Sequence, residues 1–235
     1  MELMIKDKIA VVTGGGSGIG LSIAEQYLAL GAKVAIVSRN AERLESAASS
    51  LRSQGTTEIA AFQADVRNYD QVSAAVDAVL ERFGSLDILV NNAAGNFFCP
   101  TAEMSPNAWR TVIDIDLNGT FHGSRAAFAR LRESKWGGCI INISSIAGKL
   151  LPPNTSAYAA SKAGIQALTA SMAQEVGQYG IRVNAICPGL VDTVRIDDIR
   201  GTPAWDQATG RIALRRMGSG EEIAWSAIYL CSEQG

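Results

Sequence analysis

The sequence predicts one α/β domain over residues 1–235, a doubly wound parallel sheet with helices on both faces. Three observations predict it. Short β-rich runs alternate with longer helical stretches, and no linker interrupts the alternation. The runs are almost continuously apolar, as strands are when helices cover both faces of a sheet. The length of 235 residues and apolar content of 47% suit a single sizeable core.

Taken in order, the first strand is Ile9–Val12 and a helix follows near Ile19–Leu30. The second strand, Val34–Ser38, leads into a helix over Ala41–Ser53, with Asn40 placed to cap it. Strand Ile59–Gln63 precedes a helix near Val72–Phe83, with Asn68 as the cap residue. Leu86–Val90 is the fourth strand. The long stretch Pro106–Arg132 reads as an interrupted helix, opened by Ser105 with Pro106 at its first position. Strand Ile140–Ser144, helix Tyr158–Tyr179, strand Arg182–Ile186 and helix Glu221–Cys231 complete the pattern. Alternation of this kind implies right-handed crossovers and a ligand site beyond the carboxyl ends of the strands.

Composition excludes several functions. A net charge of −2 gives no basic field for nucleic acid or anionic lipid. No apolar run approaches the roughly 20 residues of a membrane helix. The chain passes from Met1 almost directly into a strand, so no signal peptide is expected and a cytoplasmic setting is. Cys99, Cys139, Cys187 and Cys231 are widely spaced and read as small apolar residues in a reducing compartment. With His122 as the one histidine, no metal site is expected.

Every chemical motif falls at a strand end. Thr13-Gly14-Gly15-Gly16-Ser17-Gly18-Ile19-Gly20 follows a strand and opens a helix. Glycine lets backbone turn tightly and approach a pyrophosphate, while the helix N-terminus supplies N–H donors and partial positive charge. The spacing is G-x-x-x-G-x-G, and only the flanking strand and helix raise it above a plain tight turn. The second strand ends in Ser38-Arg39, where an NAD enzyme usually carries Asp or Glu. A carboxylate repels a 2′-phosphate and arginine binds one, so NADP(H) is the expected cofactor. Asp65-Val66 and Asn91-Asn92-Ala93-Ala94-Gly95 end the next two strands, where the adenosine half would rest. Asp65 is placed to accept from the adenine amino group, and the small residues from Ala93 to Gly95 admit backbone close to a ribose.

The reactive set is Ser145, Tyr158 and Lys162. Tyr158 and Lys162 are four apart and share a helix face. A tyrosine is a poor acid/base at neutral pH unless a neighbouring ammonium favours its phenolate. Ser145, at the end of the preceding strand, is placed to donate to a substrate carbonyl.

These motifs resemble the short-chain dehydrogenase/reductase family over essentially the whole chain. The resemblance rests on TGGGSGIG, Asp65-Val66, NNAAG, Asn118, the Ser145/Tyr158/Lys162 set and Pro188-Gly189-Leu190-Val191-Asp192-Thr193. It implies a Rossmann-type NADP(H)-dependent oxidoreductase acting on a small carbonyl, secondary alcohol or acyl-thioester substrate. It further implies that Tyr158 protonates the carbonyl oxygen, Lys162 holds the nicotinamide ribose, Ser145 orients the carbonyl and Asn118 anchors a water relay. Gly14, Ser17, Gly18, Ile19, Gly20, Ser38, Arg39, Asp65, Val66, Asn92, Ala93 and Gly95 bind cofactor on this reading. Tyr158, Lys162, Pro188, Gly189, Val191 and Thr193 join them, Val191 and Thr193 at the carboxamide.

Within the family, Asn92–Phe98 and Ser105–Trp109 resemble 2,4-dienoyl-CoA and trans-2-enoyl-CoA reductases. The intact Ser/Tyr/Lys set resembles 3-oxoacyl reductases and alcohol dehydrogenases instead, so carbonyl chemistry is expected and enoyl reduction is the alternative. A non-catalytic NADP(H) sensor is the alternative of another class. Residues 190–216 are expected to form a lid, with Asp197, Asp198, Arg200, Pro203 and Trp205. Its basic cluster, Arg211, Arg215 and Arg216, is either a CoA-phosphate contact or a solvated face. A homo-oligomer is expected, paired through the two long helices. It would be a tetramer if a seventh strand follows and a dimer if the chain ends at Gly235.

Overall fold

The computed structural model describes residues 5–55, 58–135, 137–193 and 201–235. Six parallel strands form one sheet in the order β3-β2-β1-β4-β5-β6. They are β1 (Ile9–Thr13), β2 (Lys33–Ser38), β3 (Ile59–Gln63), β4 (Ile88–Asn91), β5 (Cys139–Ile143) and β6 (Arg182–Ile186). The order reverses between β1 and β4, which opens a crevice at their carboxyl ends.

Side-chain alternation divides the core. Val12, Ile36, Val90 and Ile141 are fully buried on one face, under α1 (Gly18–Ala29), α2 (Ala41–Ser53) and α9 (Gly220–Cys231). Val11, Ala35, Leu89 and Ile140 fill the other, under α3 (Tyr69–Phe83), α5 (Gly119–Leu131) and α7 (Ser156–Val176). Both faces are therefore dry, which is why these strands read as apolar runs.

The expected caps form. Asn40, Asn68 and Ser105 accept from the backbone N–H groups of Arg43, Gln71 and Ala108. The stretch expected as an interrupted helix is α4 (Pro106–Ile113), a π-turn (Asp114–Asn118) and α5 in unbroken succession. The extra residue of a π-turn shifts the phase of the side chains around it. Two short helices escaped the sequence pattern, α6 (Ala147–Leu150) and α8 (Pro203–Gly210). Neither is long enough to show a period.

The last helix is tied at both ends. At its start Ser219 and Glu222 form a reciprocal capping box. At its end Lys8 donates to the Cys231 carbonyl, and Arg182 to those of Leu230 and Ser232. Cations there suit the negative end of the helix dipole. No helix among the described residues is long and apolar enough to cross a membrane.

Arg216 and the Ser219 N–H hold the Glu222 carboxyl at about 2. That value lies below the roughly 4.3 of an unfolded glutamate, so its contribution is present above about pH 4 and lost as pH falls toward 2. Ser219→Ala should lower unfolding free energy by about 1 kcal/mol in urea titrations at pH 7. The Glu222 contribution, made through the Ser219 N–H and Arg216, should fade in both proteins as pH falls through about 2. Equal stability of Ser219→Ala and wild type at pH 7 would contradict the capping box.

Candidate active site

The glycine-rich loop is pinned before it can hold anything. Thr13 Oγ1 accepts from the backbone N–H groups of Asn92 at 2.9 Å and Ala93 at 3.1 Å. Asn92 Nδ2 donates back to the Thr13 carbonyl at 3.0 Å. The ends of β1 and β4 are thus stitched together at the floor of the crevice. Gly14 adopts φ +66°, and a Cβ there would stand 2.9 Å from Asn92 Nδ2. At Gly20 a Cβ would meet the same amide and lie 2.6 Å from the Gly14 carbonyl. Both positions require glycine because backbone passes too close for any side chain.

A groove of about 600 Å³ runs from this loop across the sheet end. Of the residues expected to bind cofactor, Gly14, Ser17, Gly18, Ile19, Ser38, Arg39, Asp65, Val66, Asn92, Ala93, Gly95 and Thr193 line it. Gly20 lies behind it, against Asn92. The Pro188 carbonyl accepts from Ile146, Gly189 stands beside Ile146, and Val191 is buried and bridged to Gly218.

The groove suits a nicotinamide dinucleotide. Ser17 precedes α1 without a side-chain cap, unlike the residues before α2, α3, α4 and α9. The first turn of α1, with Ser17, Gly18 and Ile19 in the groove lining, thus has N–H groups without a side-chain acceptor, as an anion site requires. Arg39 and Arg43 also line the groove, Arg43 beside Gly16 of the loop. Arg43 is a lining residue the sequence reading missed, because its place depends on how α2 lies over the glycine loop.

Asp65 does not wait bare for an adenine. Arg67 grips its carboxylate, with Nε at 3.0 Å from each oxygen and Nη2 at 2.5 Å from Oδ2. That guanidinium holds the Asp65 carboxyl below the usual carboxylate range, against the opposing effect of partial burial.

Ser145, Tyr158 and Lys162 stand outside the groove lining, and a buried carboxylate connects Lys162 to it. Asp116 Oδ1 accepts the Gly95 N–H at 2.6 Å, and its Oδ2 lies 3.5 Å from Lys162 Nζ. Both side chains of this ion pair are essentially inaccessible, at 0% and 3% exposure. Lys162 Nζ also donates to the Ile143 carbonyl at 2.9 Å and sits 5.4 Å from the centroid of the Tyr158 ring. Tyr158 is half-buried, one turn before Lys162 on α7.

Ser145 follows β5. Its Oγ accepts the Ala147 N–H at 3.1 Å, which leaves the hydroxyl hydrogen available to a ligand. Gln166 steadies this corner by donating to Ser144 Oγ and the Ser145 carbonyl. Below it, Asn91 donates to Ser124 and Asn142, and Asn142 to Thr169, a buried polar ladder joining β4, β5, α5 and α7.

The place expected for Asn118 is corrected. Asn118 is exposed and donates to Asp114 Oδ1 at 2.8 Å, while Asp116 occupies the position beside Lys162. The cause is the π-turn, which faces Asp116 inward and Asn118 to solvent. The sequence offered Asp114, Asp116 and Asn118 within five residues, and no regular helical period tells which is buried.

In the expected lid, Asp197, Asp198 and Arg200 lie outside the described residues. Arg216 is committed to Glu222, and Arg215 donates to the Gly210 carbonyl. Arg211 is exposed. Two of the three basic residues thus serve their own chain. Among the described residues no cluster suits a metal ion.

A dinucleotide groove at the switch point of a doubly wound sheet, joined to a Ser/Tyr/Lys set, defines a nicotinamide-dependent oxidoreductase. Residues 8–203 match the family model described as short chain dehydrogenase, and the chain belongs to that family. It is 40% identical over 233 residues to a peroxisomal 2,4-dienoyl-CoA reductase of Saccharomyces cerevisiae, covering 97% of this chain and 79% of that one. A probable 2,4-dienoyl-CoA reductase of Bacillus subtilis is 37% identical, covering 98% and 91%. A solved short chain dehydrogenase from Bacillus anthracis superposes with TM-score 0.88 at 40% identity, covering 98% and 91%. The crystal structure of gox2181 superposes with TM-score 0.95 at 30% identity, covering 99% and 91%.

Removing one member of a buried ion pair leaves the other charged and unsolvated. Asp116→Leu should therefore cost about 3–5 kcal/mol in urea unfolding. Asp116→Asn, which keeps an acceptor for Gly95, should cost less than half as much. Equal stability of the leucine variant and wild type would rule out a stable Asp116–Lys162 pair.

Proposed function

We propose that this protein is an NADP(H)-dependent reductase of acyl thioesters, converting a 3-oxo group to the alcohol. The observation that carries the reading is Lys162 Nζ beside the Tyr158 ring on α7, with the Ser145 hydroxyl available after the end of β5. The NADP(H) preference is supported by Ser38 and Arg39 in the groove lining, with Arg43 beside them. The thioester is supported by the relatives, whose names specify acyl-CoA substrates.

The bound nicotinamide supplies or accepts the hydride. The protein does the rest. Ser145 Oγ donates a hydrogen bond to the substrate carbonyl oxygen and fixes its direction. The Tyr158 hydroxyl gives that oxygen a proton, and the ammonium of Lys162 balances the phenolate left behind. Asp116 holds Lys162 in place. In the oxidative direction Tyr158 takes the proton back.

A second reading has its own support. The relatives reduce 2,4-dienoyl-CoA substrates by name, and Asp116 places a carboxylate where the family resemblance implied an amide. Incubation with NADPH and either a 3-oxoacyl-CoA or a 2,4-dienoyl-CoA separates the two by which substrate gains two hydrogens. A homo-oligomer remains our proposal, supported by exposed Phe121 on α5 and by exposed Trp225 and Tyr229 on α9.

Tyr158→Phe should lower 3-oxoacyl reduction by about 100- to 10,000-fold, while NADPH affinity by fluorescence titration stays within a few-fold. Substantial turnover by the folded variant would remove Tyr158 as the acid. NADPH should bind more tightly than NADH, and Arg39→Ala should erase about 10- to 150-fold of that preference, the worth of one charge-assisted contact. A wild type that prefers NADH overturns the cofactor assignment.

A further inference from the structure

The end of β5 is held to α7 by two side chains one helical turn apart. Lys162 Nζ donates to the Ile143 carbonyl. Gln166 lies one turn further along α7, on the face that carries Tyr158 and Lys162, and reaches the next two residues. Its Nε2 donates to Ser144 Oγ at 3.1 Å and to the Ser145 carbonyl at 3.2 Å. Ser144 Oγ in turn donates to the Lys162 carbonyl at 2.9 Å, and the Ser144 N–H to the Ile186 carbonyl of β6 at 2.8 Å. Ile143, Ser144 and Ser145 are thereby fastened in succession before the chain turns into α6.

The chemistry of the Gln166 side chain suits this task. A primary amide carries two N–H donors on one nitrogen, and both acceptors here need a donor. Methionine has the length and no donor, an ionised glutamate only accepts, and asparagine has the donors but is one methylene shorter. The fold makes room for the amide at Gly148, where a Cβ would stand 2.6 Å from Gln166 Nε2. The Gly148 N–H also donates to the Ser145 carbonyl, at 3.2 Å, so that oxygen is held by two donors. Ser145 Oγ accepts the Ala147 N–H. The serine backbone is therefore fixed, and its hydroxyl hydrogen is what remains for a ligand.

We infer that Gln166 is a positioning residue for carbonyl reduction, acting through Ser145. It stands outside the groove lining, as Ser145 does, so its influence falls on the chemical step and spares the cofactor. By holding the Ser144–Ser145 segment it sets where the Ser145 hydroxyl meets a substrate oxygen. Misplacing such a group by about 1 Å costs on the order of 100-fold in rate. The inference rests on the proposed carbonyl chemistry, and the experiment below separates the two.

Gln166 is half-buried, so both Gln166→Met and Gln166→Asn are made, and near-UV circular dichroism identifies the folded variant to be measured. Either should lower kcat for 3-oxoacyl-CoA reduction by about 10- to 100-fold, with the NADPH dissociation constant changed by less than about twofold. In a Ser145→Ala background, under single-turnover conditions, the same substitution should change the rate by less than about twofold, because the hydroxyl it positions is gone. An unchanged kcat in the presence of Ser145 overturns the inference. So does an equal loss with and without Ser145, which is what a general packing role gives. A crystal structure of the folded variant reads the same point without turnover. Ser145 Oγ should leave the Ala147 N–H or move by more than about 0.5 Å, and an unmoved Ser145 overturns the inference. If Ser145 moves while wild type reduces no 3-oxoacyl-CoA, Gln166 still positions Ser145 and the proposed substrate fails.

Discussion

The structure turns on one buried ion pair. Asp116 and Lys162 come from different helices, and each is tied to a different part of the sheet end. Asp116 takes the Gly95 N–H of the loop after β4, and Lys162 donates to the last carbonyl of β5. Four segments thus meet at two charges: the β4 loop, the π-turn, the end of β5 and α7. Charges this deep are costly unless each finds several partners, and here each does. The pair is weak evidence for net stability and strong evidence for a specified geometry.

That geometry couples the two halves of the site. Gly95 lines the cofactor groove and also bonds Asp116, so a displacement of the groove's inner end is felt at Lys162 and, 5.4 Å away, at the Tyr158 ring. At the other end of the groove, Thr13 and Asn92 lock the glycine loop to β4 in a comparable way. The dinucleotide site is built from backbone held rigid by a few side chains. Rigidity there is what lets the uncapped N-terminus of α1 present its donors at a fixed place.

Most of the fold was legible because both its signals are local. Strand runs and helix caps at Asn40, Asn68 and Ser105 depend on neighbours within a few residues, and the observed elements begin and end within three residues of expectation. The glycine loop, Ser38-Arg39 and the Tyr158–Lys162 spacing were legible for the same reason. The misses all involve phase or distance. A π-turn inserts one residue and changes which of Asp114, Asp116 and Asn118 is buried, and nothing in the sequence marks the insertion. Arg43 reaches the groove, and Arg67 the Asp65 carboxylate, through helix and loop placement, which a sequence pattern does not contain.

The most direct test of the account is a double-mutant cycle on its central pair. Unfolding free energies of Asp116→Asn, Lys162→Met, the double variant and wild type give the coupling between the two residues. The account predicts a coupling of about 1.5–3 kcal/mol, with the double variant more stable than the sum of the single losses implies. Strictly additive losses would contradict it, since the two side chains would then contribute independently and the link between groove and catalytic helix would not exist.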